Sequence, residues 1–279
     1  MPIHDQGYRR YGGDRAAVGR AWQVIAGAGI RSIIAKRSFI SLMLFAWAPF
    51  VVRAVQIYVS ANFQQAAFLA PKGETFREFL EAQNIFVFFV TIWVGAGLIA
   101  NDRRANALQL YLSRPLSAAE YVAGKLAILF VFLTFVTWAP AIGLLVVQTV
   151  FAGSFTFVRN NAYLFPAITL FSLAQVLLAS TTMLALSSLS KSSRFVGVMY
   201  AGLMFFTAAL FQALRGITGS SAFAWISPNN ALDQLGDVIF RIQPRYDLPP
   251  AVAALVVLVL IAGSGFVLAR RVKGVEIVT

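Results

Sequence analysis

Long apolar runs separated by short polar gaps organise this chain: Ser38 to Ser60, Asn84 to Ala100, Leu126 to Val150, Tyr163 to Leu189, Phe195 to Leu214 and Ala251 to Ala269. Each run is near the ~20 residues that cross a bilayer as a helix, a conformation that satisfies every backbone polar group within its own segment. The pattern predicts an all-α integral membrane protein with six transmembrane helices. Residues 1–37 form a polar leading segment and residues 38–279 one six-helix domain, with a short loop at 101–117 and a long one at 215–248.

Three gaps carry a helical period of their own. Before the first run, Val18, Ala21, Trp22, Ile25 and Ala28 repeat on one face while Arg20, Gln23 and Arg31 point elsewhere, which predicts an elbow helix lying in the membrane interface. In the 101–117 loop, Ala105, Leu108, Tyr111 and Leu112 make a short apolar stripe, with Arg103, Arg104, Asn106 and Gln109 on other faces. Pro115 stops that helix, and Ser117 followed by Glu120 is a capping-box pattern that restarts the chain as the third membrane helix. A helix, a hard stop and a capped restart form a lever joined to two spans. In the long loop, Leu232, Leu235, Ile239 and Ile242 share one face and Asp233, Asp237 and Arg241 another, while Trp225 is placed as an interfacial anchor. Phe76, Phe79 and Leu80 beside Glu74, Glu78 and Glu81 predict another interfacial cap, and Pro140 and Pro166 are candidate kinks.

Charge orients this scheme. Sixteen of the 23 Lys and Arg residues fall in alternate gaps counted from the N-terminus, against five acidic residues, whereas the remaining gaps hold six of each sign. Basic loops stay in the cytoplasm. Both termini are therefore expected inside, and the formal charge of +12 reads as orientation and contact with anionic lipid, with no nucleic-acid partner. A hydrophobic share of 59% and a mean hydropathy of +0.74 leave too little polar surface for a soluble core. The first run is too long for a signal-peptide core and is expected to be an uncleaved anchor. The absence of Cys and a solitary His4 leave no thiolate or imidazole metal set and little acid–base chemistry. The short loops suit a prokaryotic inner, or plasma, membrane.

The stretch Tyr111-Leu112-Ser113-Arg114-Pro115-Leu116-Ser117, with Glu120-Tyr121 and Gly124-Lys125 at the head of the third span, resembles the permease subunits of type-2 ABC exporters. Those proteins carry an acidic residue after span two, a short amphipathic coupling helix, a Leu-Ser-x-Pro-like turn and a Gly-Lys pair. Asp102 and Asn106-Ala107 stand where the family commonly has Glu and Gly-Thr. The resemblance implies a non-enzymatic permease working with two copies of a cytoplasmic ABC ATPase and with a second permease copy or a paralogue. ATP and Mg would be bound by the ATPase, and this chain carries no cofactor. It implies that Asp102, Arg103, Arg104, Asn106, Leu108, Tyr111, Arg114 and Pro115 form the ATPase-coupling segment, and that the 215–248 loop is an outer gate. The sequence agrees in having no Gly-x-x-x-x-Gly-Lys-Ser/Thr loop to cradle phosphates.

Polar residues inside the runs are candidates for a substrate path, because a polar group facing lipid is costly. Arg53 and Gln56 lie one turn apart in the first run; Ser172, Gln175 and Thr182 share a face of the fourth. Arg53 suits an anionic head group. Snorkelling of Arg53 and helix-to-helix bonding by the others are the competing readings. A proton- or sodium-driven carrier normally shows carboxylates deep in the membrane, and the six runs contain no Asp or Glu. A membrane-embedded enzyme, or a factor assembling another complex, stays as the other alternative.

Overall fold

The computed structural model describes residues 20–107, 117–153 and 155–272, with only the backbone of Ala67. Among these residues the secondary structure is helical throughout. A first helix, α1 (Ala21–Ile34), precedes α2 (Arg37–Asn62), α3 (Gly73–Arg104), α4 (Ala118–Ala152), α5 (Leu164–Leu189) and α6 (Ser193–Thr218). A shorter helix, α7 (Pro228–Ile239), then leads to α8 (Pro250–Arg271). Helices α2 to α6 and α8 are each long and apolar enough to cross a membrane, the architecture of a multi-pass membrane protein.

The expected segments thus appear, with longer bounds. The second run extends back to Gly73 because Phe76, Phe79 and Leu80 are buried in the bundle. The segment predicted as an interfacial cap is helical and runs on into that span. The third run extends back to Ala118, where Ser117 Oγ accepts from the Glu120 amide at 3.1 Å and Glu120 Oε2 accepts from the Ser117 amide at 3.1 Å, the expected capping box.

Two large cores and a small third cluster, of Phe211, Ala224, Leu248 and Ala253, are present among the described residues. Phe39, Val90, Ile99, Leu129, Leu133, Met183 and Val196 fill the end of the bundle near α1. Ile57, Phe79, Leu144, Phe171, Ala231 and Phe240 fill the end near α7. Among lipid-facing helices, close packing and interhelical hydrogen bonds provide cohesion, since lipid is as apolar as the core. Helix α5 is the most enclosed span, while α2, α6 and α8 present most of their surface outward.

Three spans are interrupted. Helix α2 breaks at Trp47, with Pro49 in the first turn of its second half. In α4 the interruption at Thr137 lies just ahead of Pro140, whose ring crowds the preceding turn and which lacks the amide for a normal helical bond. Pro166 makes no kink: it sits in the first turn of α5, where a missing amide breaks nothing. Helix α3 contains a π-helical turn at Thr91–Gly95, a geometry that inserts an extra residue and interrupts the regular ladder.

Helix α1 packs on α4. Gly124 makes this possible, because a Cβ there would stand 2.8 Å from Ile25 Cβ and 3.0 Å from the Trp22 carbonyl oxygen. Ala26 and Ile33 are buried and Ile25 is half-buried, whereas Trp22 and Ala28 of the predicted stripe remain exposed. The face against the bundle is therefore rotated from the face that periodicity selects. Val18 lies outside the described residues.

Candidate functional site

The α1 end of α3 is where the sequence places its lever. Beyond the π-turn, the chain passes through a non-helical turn to the short helical segment Ala100–Arg104, and one side chain of α5 closes that gap. Ser187 Oγ donates to the Ala96 carbonyl at 2.9 Å and accepts from the amides of Ile99 at 3.2 Å and Ala100 at 3.0 Å. A hydroxyl has one proton and two lone pairs, so this one is fully used. Ser187 is completely buried.

The residues beyond the gap are tied to both neighbours. Asp102 Oδ2 accepts from the Tyr121 hydroxyl at 2.6 Å and pairs with Lys125 Nζ at 2.7 Å. Tyr121 is buried, and the Lys125 ammonium stands 5.4 Å from its ring centroid. Thus the Glu120-Tyr121 and Gly124-Lys125 pairs acquire separate roles: a cap, an anchor for Asp102, a docking face for α1 and a counter-ion. Arg103 Nη1 donates to the Ser188 carbonyl near the C-terminus of α5, where helix carbonyls favour a cation. Arg104 is exposed and bonds only weakly to Asn101, at 3.4 Å. Asn106 ends the segment in the left-handed region, φ 53°, which a short polar side chain tolerates better than most. Leu108, Tyr111, Arg114 and Pro115 lie outside the described residues.

The other candidate residues separate into two networks. Arg53 Nη1 donates to Gln56 Oε1 and Nη2 to Glu78 Oε2, both at 2.9 Å, and Gln56 Nε2 reaches the Leu69 carbonyl at 3.2 Å. Arg53 is thus tied to the first turns of α3 and Gln56 to the connection that precedes them. Ser172, Gln175 and Thr182 are buried, and Ser172 Oγ, Gln175 Oε1 and Thr182 Oγ1 have no hydrogen-bond partner among the described residues. Gln175 Nε2 donates to Asn84 Oδ1, and both line a cavity of about 50 Å³ with Tyr200 and Asn229. That volume suits one or two waters.

The α7 end holds a charge cluster that periodicity alone does not reveal. Arg77 is only 1% exposed; its Nη2 donates to Asp233 Oδ1 at 2.8 Å and its Nε to Asp237 Oδ1 at 3.2 Å. Arg245 bridges Asp237 Oδ2 and Glu81, with Nε and Nη1 contacts of 2.8 Å each. The guanidinium of Arg77 also lies 4.8 Å from the Phe171 ring centroid. Gly236 leaves room for both, since a Cβ there would meet Phe171 at 2.6 Å and Arg77 Nε at 2.7 Å. Two cations face three carboxylates, so burial wins over Arg77 at Asp233 and pushes that carboxyl above its usual range. Of the predicted polar face, Asp233 and Asp237 are therefore buried beside the apolar face, whereas Arg241 is exposed and lies past the end of α7.

Among the described residues no group of three His, Cys, Asp or Glu side chains could hold a metal ion. In comparisons with known proteins, the chain matches no family model and no curated protein.

Proposed function

We propose that the chain is the membrane-spanning permease subunit of a type-2 ABC exporter, carrying an amphiphilic substrate out of the cytoplasm or inner leaflet. The observation that carries this reading is the clamped segment 96–104. It follows a break in α3 and is fastened to α4 through Asp102 and to α5 through Ser187 and Ser188. A push on residues beyond Asn106 passes to three spans through short polar contacts, with little slack to absorb it.

In this reading a separate cytoplasmic ATPase, two copies per complex, presses on the 101–117 segment, and closure around ATP tilts α3 and α4 in each of two permeases. The charge asymmetry puts the α1 end and both termini in the cytoplasm of a prokaryotic inner membrane. Helix α1 acts as the elbow at the membrane surface, with Trp22 turned outward. Helix α7 and its neighbours close the opposite end. Arg53 serves there as an anchor between spans, since its charge is already paired with Glu78.

The test replaces Leu108 and Tyr111 together by Asp. Membrane insertion is expected to survive, because neither residue lies within a described span, while ATPase copurification and substrate-stimulated hydrolysis are lost. Normal copurification and stimulation in that variant would remove the lever from the mechanism. Transport in proteoliposomes without any ATPase, following an imposed proton gradient, would replace this reading with an ion-coupled carrier.

A further inference from the structure

A cleft of about 380 Å³ opens between α1 and the adjoining ends of α2, α3 and α4. Ile33, Trp93 and Ile128 give it apolar walls, and Lys36, Asp102 and Lys125 give it charge. Asp102 is already engaged by Lys125 and Tyr121. Lys36 has no ion pair among the described residues, so the cleft keeps one uncompensated positive charge. Lys36 is also the N-cap residue of α2, whose first turn has neither an acidic residue nor a side-chain cap. Ser32 and Asn101 supply further polar groups on the same lining. Trp93, itself 50% exposed, stands between this cleft and a second one of about 540 Å³ toward α6, which carries Arg194.

A soluble anion would use the charge and leave the apolar walls bare; a neutral lipid would do the reverse. We propose that the α1 cleft binds an anionic phospholipid, its phosphate on Lys36 with Ser32 and Asn101 and its hydrocarbon against Ile33, Trp93 and Ile128. The site does not depend on the transport reading. One lysine near an anionic surface is worth roughly a fivefold preference, so the selectivity is readable.

The test is native mass spectrometry of the full chain released from nanodiscs containing equal phosphatidylglycerol and phosphatidylcholine with the same acyl chains. Wild-type protein is expected to retain phosphatidylglycerol after phosphatidylcholine has dissociated. Lys36→Gln should lower that preference roughly fivefold, and Ala28→Trp, which fills the cleft without touching its charge, should abolish it. Lys191→Gln removes a lysine outside the cleft and should leave the preference unchanged. Equal retention of the two lipids would overturn the proposal, as would identical losses in Lys36→Gln and Lys191→Gln, which would signify general surface attraction. Displacement of the retained lipid by millimolar inorganic phosphate would also overturn it, in favour of a soluble-anion site. If Lys36→Gln folds poorly, Ala28→Trp decides between the same outcomes.

Discussion

Arg77 shows how much a single side chain can commit. Its guanidinium is buried between α3 and α7 and meets Asp233, Asp237 and Glu81. Arg77→Met leaves the buried Asp233 without its cation while Arg245 still holds Asp237, and is expected to cost about 3–5 kcal/mol of stability. Adding Asp233→Asn and Asp237→Asn should recover part of the loss, as read by denaturant unfolding in detergent. Asp233 gives the cluster a pH dependence of determinable sign. Its folded-state pKa is raised by burial, so the folded protein binds the proton more tightly than the unfolded chain does. The penalty grows as pH rises from the ordinary carboxylate value through the raised one, and is relieved on acidification. Compared with Asp233→Asn, the wild type should gain stability as pH falls through that window; parallel pH profiles would show that Asp233 does not titrate there.

At the scale of the helix, α3 is a span in two pieces joined through Ser187. Ser187→Ala leaves two amides and a carbonyl to find other partners, and each net hydrogen bond is worth about 1 kcal/mol. The variant should insert, yet the amides of residues 97–101 should exchange hydrogen faster, and under the proposed exporter reading ATPase copurification should persist while stimulated hydrolysis falls. Unchanged exchange would mean that the break is held by packing alone. The sequence makes the spans legible because a bilayer demands ~20 apolar residues whatever surrounds them. It also makes the Ser117–Glu120 cap legible, since both partners lie within one turn. Ser187 is different: it bonds to a backbone 87 residues away, and Arg77 finds Asp233 across 156. Periodicity names the face a residue occupies and says nothing about which helix arrives there. The same blindness explains α1, where Gly124, read as half of a Gly-Lys pair, and Gly29, packed against Ile128, decide which face docks.

The whole molecule divides into two ends with different electrostatics. The α1 end holds Lys36, Lys125, Lys191 and Arg194, whereas at the α7 end the cluster of Arg77 and Arg245 with Glu81, Asp233 and Asp237 nearly neutralises itself. Single cysteines at Ser192 and Ser220, at opposite ends of α6, should therefore label from opposite sides of the membrane, Ser192→Cys from the cytoplasm and Ser220→Cys from outside. Labelling of Ser192→Cys by an impermeant thiol reagent on intact cells would invert the molecule and detach the lever from any cytoplasmic motor.

The hydroxyl bridge across α3 also sets a population. Its three hydrogen bonds, at about 1 kcal/mol each, make opening a matter of a few kcal/mol, so the unbridged arrangement occupies on the order of one molecule in a hundred. A continuous helix broken at the same place would be far rarer. A motor acting on this chain would therefore have to reweight a state already visited, and a modest difference in its affinity for the two arrangements would suffice.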